Sequence, residues 1–172
     1  LLLALLLAIP VQDRPKKVVL LAGPLDSHPR DSHEYERNIL LLRHCLAQSP
    51  LFKQVNIETH LNGWPADPAR LDDADTIFMT SGGCDRRLED HPLYVGERLA
   101  VLGRQMKRGC GVVFFHWSTF HPAKHHDEIT EWAGGYFDYE TGPGANKWYS
   151  RIQTKDWMTT IGAPGHPVAR GV

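Results

Sequence analysis

Between Gly109 and Thr119 the chain reads GCGVVFFHWST, a short apolar run that stops abruptly at His116, with the hydroxyls of Ser118 and Thr119 just beyond. Runs of this length, rich in β-branched and aromatic residues and preceded by a helix-like segment, suit a strand buried on both faces of a parallel sheet. Ligands of such sheets gather beyond the carboxyl ends of the strands, so His116 falls where chemistry would be sited. The competing reading is a histidine that only satisfies backbone groups at a strand end.

The rest of the chain supports a parallel sheet. KVVLLA at 17–22 is a second buried-strand run, ended by Gly23 and the turn-rich GPLDSHPRDSH. Glu34 to Gln48 places Tyr35, Ile39, Leu42 and Leu46 at three- and four-residue intervals, which predicts an amphipathic helix, with Ser32 as its candidate N-cap. QVNIET alternates apolar and polar residues and predicts a strand near the sheet edge, over Val55 to Thr59. The loop HLNGWPADP cannot continue regular structure. DTIFMT predicts the next strand, and Leu93 to Lys107 the next helix, with Gly109 as its C-cap. After Phe120, HHDEITEWAGG predicts a short helix and KWYSRIQT a further strand. Alternation of strands and helices argues for a parallel sheet flanked by helices.

The length of 172 residues suits one domain, and a net charge of -1 gives no electrostatic footprint for nucleic acid. LLLALLLAIP at the start is too short to span a bilayer and is followed at once by polar VQDRPKK. It reads as the hydrophobic region of a secretory signal peptide, so residues 1–12 are expected to be a signal remnant and the protein to be exported, periplasmic or extracellular. The other reading of this block is a first buried strand or helix. Cys45, Cys84 and Cys110 are odd in number and lack framework spacing, so no disulfide scaffold is expected. Cys45 is expected in the helical core, and Cys110 packed before its strand.

KKVVLLAG with the following SH, HLNGWPAD, DADTIFMTSGG, QMKRGCGVVFFH, STF, WAGGYFDYE, KWYS and HPVARGV occur in that order over nearly all of the chain after residue 14. This ordered set resembles the ThuA-like (trehalose-utilisation) domains, a family related in fold to class I glutamine amidotransferases, and most of all its exported bacterial branch. The resemblance implies a three-layer flavodoxin-like parallel sheet with helices on both faces over residues 15–172, and action on, or binding of, a carbohydrate or sugar derivative. Domains of the family continue past the HPVARGV-like segment, so the resemblance also implies that the chain is short of the family's C-terminus.

Several residues are candidates for the chemistry. His28 and His33 lie after the first strand and His116 and His121 after the fourth, positions that a doubly wound sheet can bring to one crevice. His116 is the candidate general acid or base, helped by His28 and by the Ser118 hydroxyl. His28, His33 and His116, with a carboxylate such as Asp31 or Glu34, would suit Zn or another divalent transition metal, although no compact ligand motif marks them. Trp117, Thr119, Trp64 and Trp148 are candidate sugar-binding residues, because an aromatic ring offers a stacking face while polar neighbours read hydroxyls. These rings would equally fill a core. His125 and His126 are expected to face solvent at a helix start, and His44 to lie on a helix surface or boundary. Cys84 follows the third strand, where an amidotransferase nucleophile would not sit, and FHWST lacks the G-x-S-x-G context of a serine elbow. The alternatives left open are a non-catalytic glycan-binding module and an amidotransferase-like hydrolase without the cysteine nucleophile.

Overall fold

A computed structural model of the chain describes residues 14–29, 31–138, 150 and 154–169. Among the described residues the sheet contains four strands, β1 (Lys17–Ala22), β2 (Asn56–His60), β3 (Thr76–Thr80) and β4 (Gly111–Phe115), all parallel and in the order β2-β1-β3-β4. This is the start of the flavodoxin-like order, whose switch point lies between β1 and β3. Helix α1 (Tyr35–Gln48) packs on one face, and α2 (Arg98–Lys107) and α3 (His126–Ala133) belong to the other, giving a three-layer α/β fold.

The two faces follow from strand alternation. Val19 and Leu21 of β1, Ile77 and Met79 of β3, and Val112 and Phe114 of β4 join Leu93, Val101 and Leu102 on the α2 side. Leu20, Ala22 and Phe78 meet Tyr35 and Ile39 of α1 on the other, with Leu42 and Leu46 packed alongside. β1 is covered on both faces because it is an interior strand with a helical layer on either side.

β4 departs from the sequence reading. Its exposure alternates, Val113 and Phe115 remain 42% and 49% exposed, and among the described residues it is an edge strand. An apolar run does not specify its neighbours, and here α1 covers the sheet mainly over β1, β2 and β3.

The helices also differ at their starts. α1 begins after Glu34, and Ser32 makes no cap. α2 begins at Arg98 rather than Leu93, because Pro92–Tyr94 form a 3-10 turn and Gly96 adopts a positive φ of 58°. α3 ends at Gly134, which adopts the left-handed conformation with φ of 78°. No helix among the described residues is long and apolar enough to cross a membrane.

Residues 139–172 form a separate compact unit. Its described part is largely exposed, with one 3-10 turn at Pro167–Ala169 and the Lys155 ammonium 3.9 Å from the Trp157 ring centroid. The expected signal remnant at 1–12, Trp148 and nearly all of the expected strand KWYSRIQT lie outside the described residues.

Candidate functional site

Three loops meet at the carboxyl edge of the sheet: 23–34 after β1, 81–91 after β3 and 116–122 after β4. The first two flank the switch point. Gly23 donates its amide to the Thr80 carbonyl at 2.7 Å, and a Cβ at Gly23 would stand 2.4 Å from that of Ser81, so the β1 and β3 exits are packed backbone to backbone. Arg86 donates to the Ser27 carbonyl at 2.9 Å and the Ser27 hydroxyl donates to Asp90 at 3.0 Å, tying the tips together.

Asp26 is the hub of the first loop. Its Oδ1 accepts the His28 amide at 2.9 Å, and its Oδ2 accepts the Tyr35 hydroxyl at 2.5 Å. Burial acts to raise its pKa, but these bonds and the adjacent His28 outweigh burial and hold the carboxyl below its ordinary range. Burial and the bond to Asp26 push the Tyr35 hydroxyl well above the ordinary tyrosine value, so it stays a proton donor. His33 Nδ1 lies 2.9 Å from that same hydroxyl and 3.4 Å from Asp26 Oδ2.

Around Asp26 the imidazoles converge. The ring centroids of His28 and His33 are 4.2 Å apart, and those of His33 and His116 5.2 Å apart. Trp117 stands 5.8 Å from His28 and 5.9 Å from His33, centroid to centroid, and its indole N–H donates to Asp85 at 2.9 Å. Donor atoms of Asp26, His28 and His33 lie within 4.8 Å of one another; His116 stands beside this trio rather than in it. Beside the trio is a cavity of about 570 Å³ whose lining includes His28, Asp31, His33, Glu34 and Arg37. Asp31 and Glu34, the carboxylates expected near the histidines, thus line this cavity, while the carboxylate among the donors is Asp26.

His116 begins the turn after β4 with φ of 62°, a left-handed conformation that costs a non-glycine residue about 1–3 kcal/mol and clusters at functional sites. Partial burial, and then the charges that His33 and His28 can carry, hold its pKa below the ordinary imidazole value. It is therefore neutral near pH 7.

Other expected site residues are placed differently. Ser118 is fully buried; its Oγ accepts the Phe115 amide at 2.9 Å and lies within donating distance of the carbonyls of Met79 (3.0 Å) and Phe115 (2.9 Å). A hydroxyl so engaged, fully buried with its hydrogen directed to backbone carbonyls, braces the turn rather than facing a substrate. Thr119 donates to the His116 carbonyl at 2.8 Å, closing the same turn. Trp64 packs against the α2-side core under Arg98, whose guanidinium is 5.9 Å from the ring.

The remaining histidines and cysteines also show what sequence patterns leave open. His126 is buried, donates from Nε2 to the His121 carbonyl at 2.9 Å and stacks on Tyr136; His125 stacks on Tyr94. Neither faces solvent freely as expected, because the His121 carbonyl and Tyr136 engage one ring and Tyr94 the other. His121 is buried against Phe114 and pairs through Nδ1 with the Tyr94 hydroxyl at 2.8 Å, so it is not part of the crevice trio. Cys84 is pushed up to about 12 by burial and by Asp85 and Asp90, so it is a thiol rather than a nucleophilic thiolate. Cys45 is exposed, off the Tyr35, Ile39, Leu42, Leu46 stripe that packs on the sheet, whereas Cys110 is buried before β4 as expected.

Sequence reading missed Asp26, Tyr35, Asp85 and His91. Asp26 and His28 stand two apart in DSHPRDSH, a spacing that by itself does not distinguish ligands from turn residues. Asp85 joins the site only through loop packing. Compared with protein families, with curated proteins and with solved structures, the chain matches none of them.

Proposed function

We propose that this is a sugar-active α/β domain of the ThuA-like type, acting outside the cytoplasm, in which the crevice beyond β1, β3 and β4 takes a carbohydrate or sugar derivative and His116 moves a proton to or from a hydroxyl or keto group. The observation that carries it is the close approach of His33 and His116 at 5.2 Å at the switch-point edge, with the Trp117 ring alongside. A neutral imidazole held in a fixed turn suits acid-base chemistry, and an aromatic ring among polar groups suits the face of a sugar.

A panel of neutral mono- and disaccharides and their keto derivatives, screened for binding and turnover, tests this reading. Turnover should fall about 10²-fold or more in His116→Ala, the scale for loss of a general acid or base. As the active form is the neutral base, the acid limb of the pH profile should lie below the ordinary imidazole pKa of about 6.5. Saturable binding without turnover would make the crevice a glycan-binding module. Neither binding nor turnover with any sugar would overturn the reading.

A further inference from the structure

His28 faces two carboxylates at once. Its Nε2 lies 3.6 Å from Asp85 Oδ2 and its Nδ1 lies 3.0 Å from Asp26 Oδ2. Yet Nδ1 is buried and makes no hydrogen bond, although it stands 3.0 Å from that oxygen. In the tautomer that carries its proton on Nε2, toward Asp85, His28 turns the Nδ1 lone pair to a region already occupied by an anionic oxygen. Two electron-rich atoms held at 3.0 Å in a buried place repel unless a positive centre lies near both.

The surroundings specify what kind of centre fits. His33 Nδ1 lies 3.4 Å from the same Oδ2. Nitrogen and oxygen ligands about 2.0–2.2 Å from a tetrahedral zinc ion stand roughly 3.3–3.5 Å from one another; Asp26 Oδ2 stands 3.0 and 3.4 Å from the two nitrogens, and all three donors lie within 4.8 Å. Asp85 has the arrangement of a carboxylate that orients a metal-bound imidazole through its far nitrogen. It is itself held by the Trp117 indole at 2.9 Å, as Asp26 is held by Tyr35. Two imidazoles and one carboxylate suit zinc and similar divalent transition ions better than magnesium or calcium, which prefer all-oxygen sets.

We infer that Asp26, His28 and His33 bind one divalent transition-metal ion of the zinc type, and that Asp85 is a positioning residue that sets the His28 ring. Three protein ligands leave at least one coordination position for water or substrate, as in catalytic rather than structural zinc sites. His116 is a neighbour of the site and not a ligand. The inference rests on these side chains and does not require the bound molecule to be a sugar.

The full chain, stripped with chelator and dialysed, is titrated with Zn²⁺ by calorimetry and with Co²⁺ by visible absorption, with far-ultraviolet circular dichroism as the check on folding. One ion per chain is expected, with cobalt bands of a low-coordinate nitrogen and oxygen site. His33→Gln and Asp26→Asn should each weaken binding at least 100-fold. Asp85→Asn should weaken it about 10- to 100-fold while the stoichiometry stays at one, the usual range for loss of an orienting partner. His116→Ala should leave metal affinity within a few-fold of the parent chain. His33→Gln keeps the test decisive if Asp26→Asn misfolds. Absence of stoichiometric binding by the parent chain, or undiminished binding by folded His33→Gln, would overturn the inference. Sugar turnover that survives chelation would overturn the metal's part in catalysis while leaving the function proposed above intact.

Discussion

The Ser118 hydroxyl lies 3.0 Å from the Met79 carbonyl, so the turn after β4 is fastened to the last residues of β3. That turn carries His116 and Trp117, and its path sets how far both stand from the β1 loop. His91 reinforces the same fastening. Its Nδ1 accepts the Leu93 amide at 3.3 Å, which leaves Nε2–H to donate to the Ser118 carbonyl at 3.0 Å. The crevice is thus floored by buried polar contacts that hold the fourth-strand loop against the third.

Ser118→Ala is expected to destabilise the fold by about 1–3 kcal/mol, since it leaves the Phe115 amide without its buried partner. Urea unfolding reads this directly. Were Ser118 a nucleophile, the variant would lose activity with its midpoint unchanged, so an unshifted midpoint would contradict the bracing role.

Gly82→Ala should disturb the site without replacing any of its side chains. An added Cβ would stand 2.7 Å from Asp26 Oδ2 and 3.0 Å from the Asp90 carbonyl, closer than packed atoms tolerate. A loss of about 1–3 kcal/mol of stability is expected for such overpacking, together with weakened Zn²⁺ binding. Calorimetry and urea midpoints equal to those of the parent chain would show that the β3 loop gives way freely.

Acid should destabilise the protein through its buried histidines. Complete burial holds His91 at about 4, and burial with neighbouring His91, His126 and His125 holds His121 at about 2. The unfolded chain takes up a proton on each near pH 6.5 while the native chain does not, so stability that is full above about 6.5 falls with decreasing pH toward 4. His91 alone should contribute about 3 kcal/mol of that loss across the window. Urea midpoints between pH 7.5 and 4.5 measure the slope, and a His91→Gln chain should show a shallower one.

Alkylation should rank the thiols by access and ionisation. Cys45 is exposed on α1, while Cys110 is buried and Cys84 is half-buried with its pKa pushed up to about 12. Iodoacetamide at pH 8 should modify Cys45 first, with Cys84 and Cys110 slower by an order of magnitude or more. Mass spectrometry of peptides from a time course would reveal a fast Cys84, which would revive the thiol nucleophile.

The sequence by itself determined the sheet, because apolar runs such as KVVLLA, TIFMT and GVVFF alternate with helical periodicity at Tyr35, Ile39 and Leu42, and only a parallel sheet with flanking helices buries both patterns. It also placed His28, His33 and His116 at strand exits, since local turn signals mark where strands stop. Tertiary structure decided what those signals cannot carry. Among the described residues β4 became an edge strand, Ser118 turned inward, and His126 and His91 were buried, because burial depends on which elements pack across a residue and not on its own neighbours in the chain. Asp26 and Asp85 came to face the two nitrogens of one ring, although they lie on loops 59 residues apart, because β1 and β3 are adjacent in the sheet. Side-chain chemistry is written locally, but the distances that make it a site are set by which strands pair.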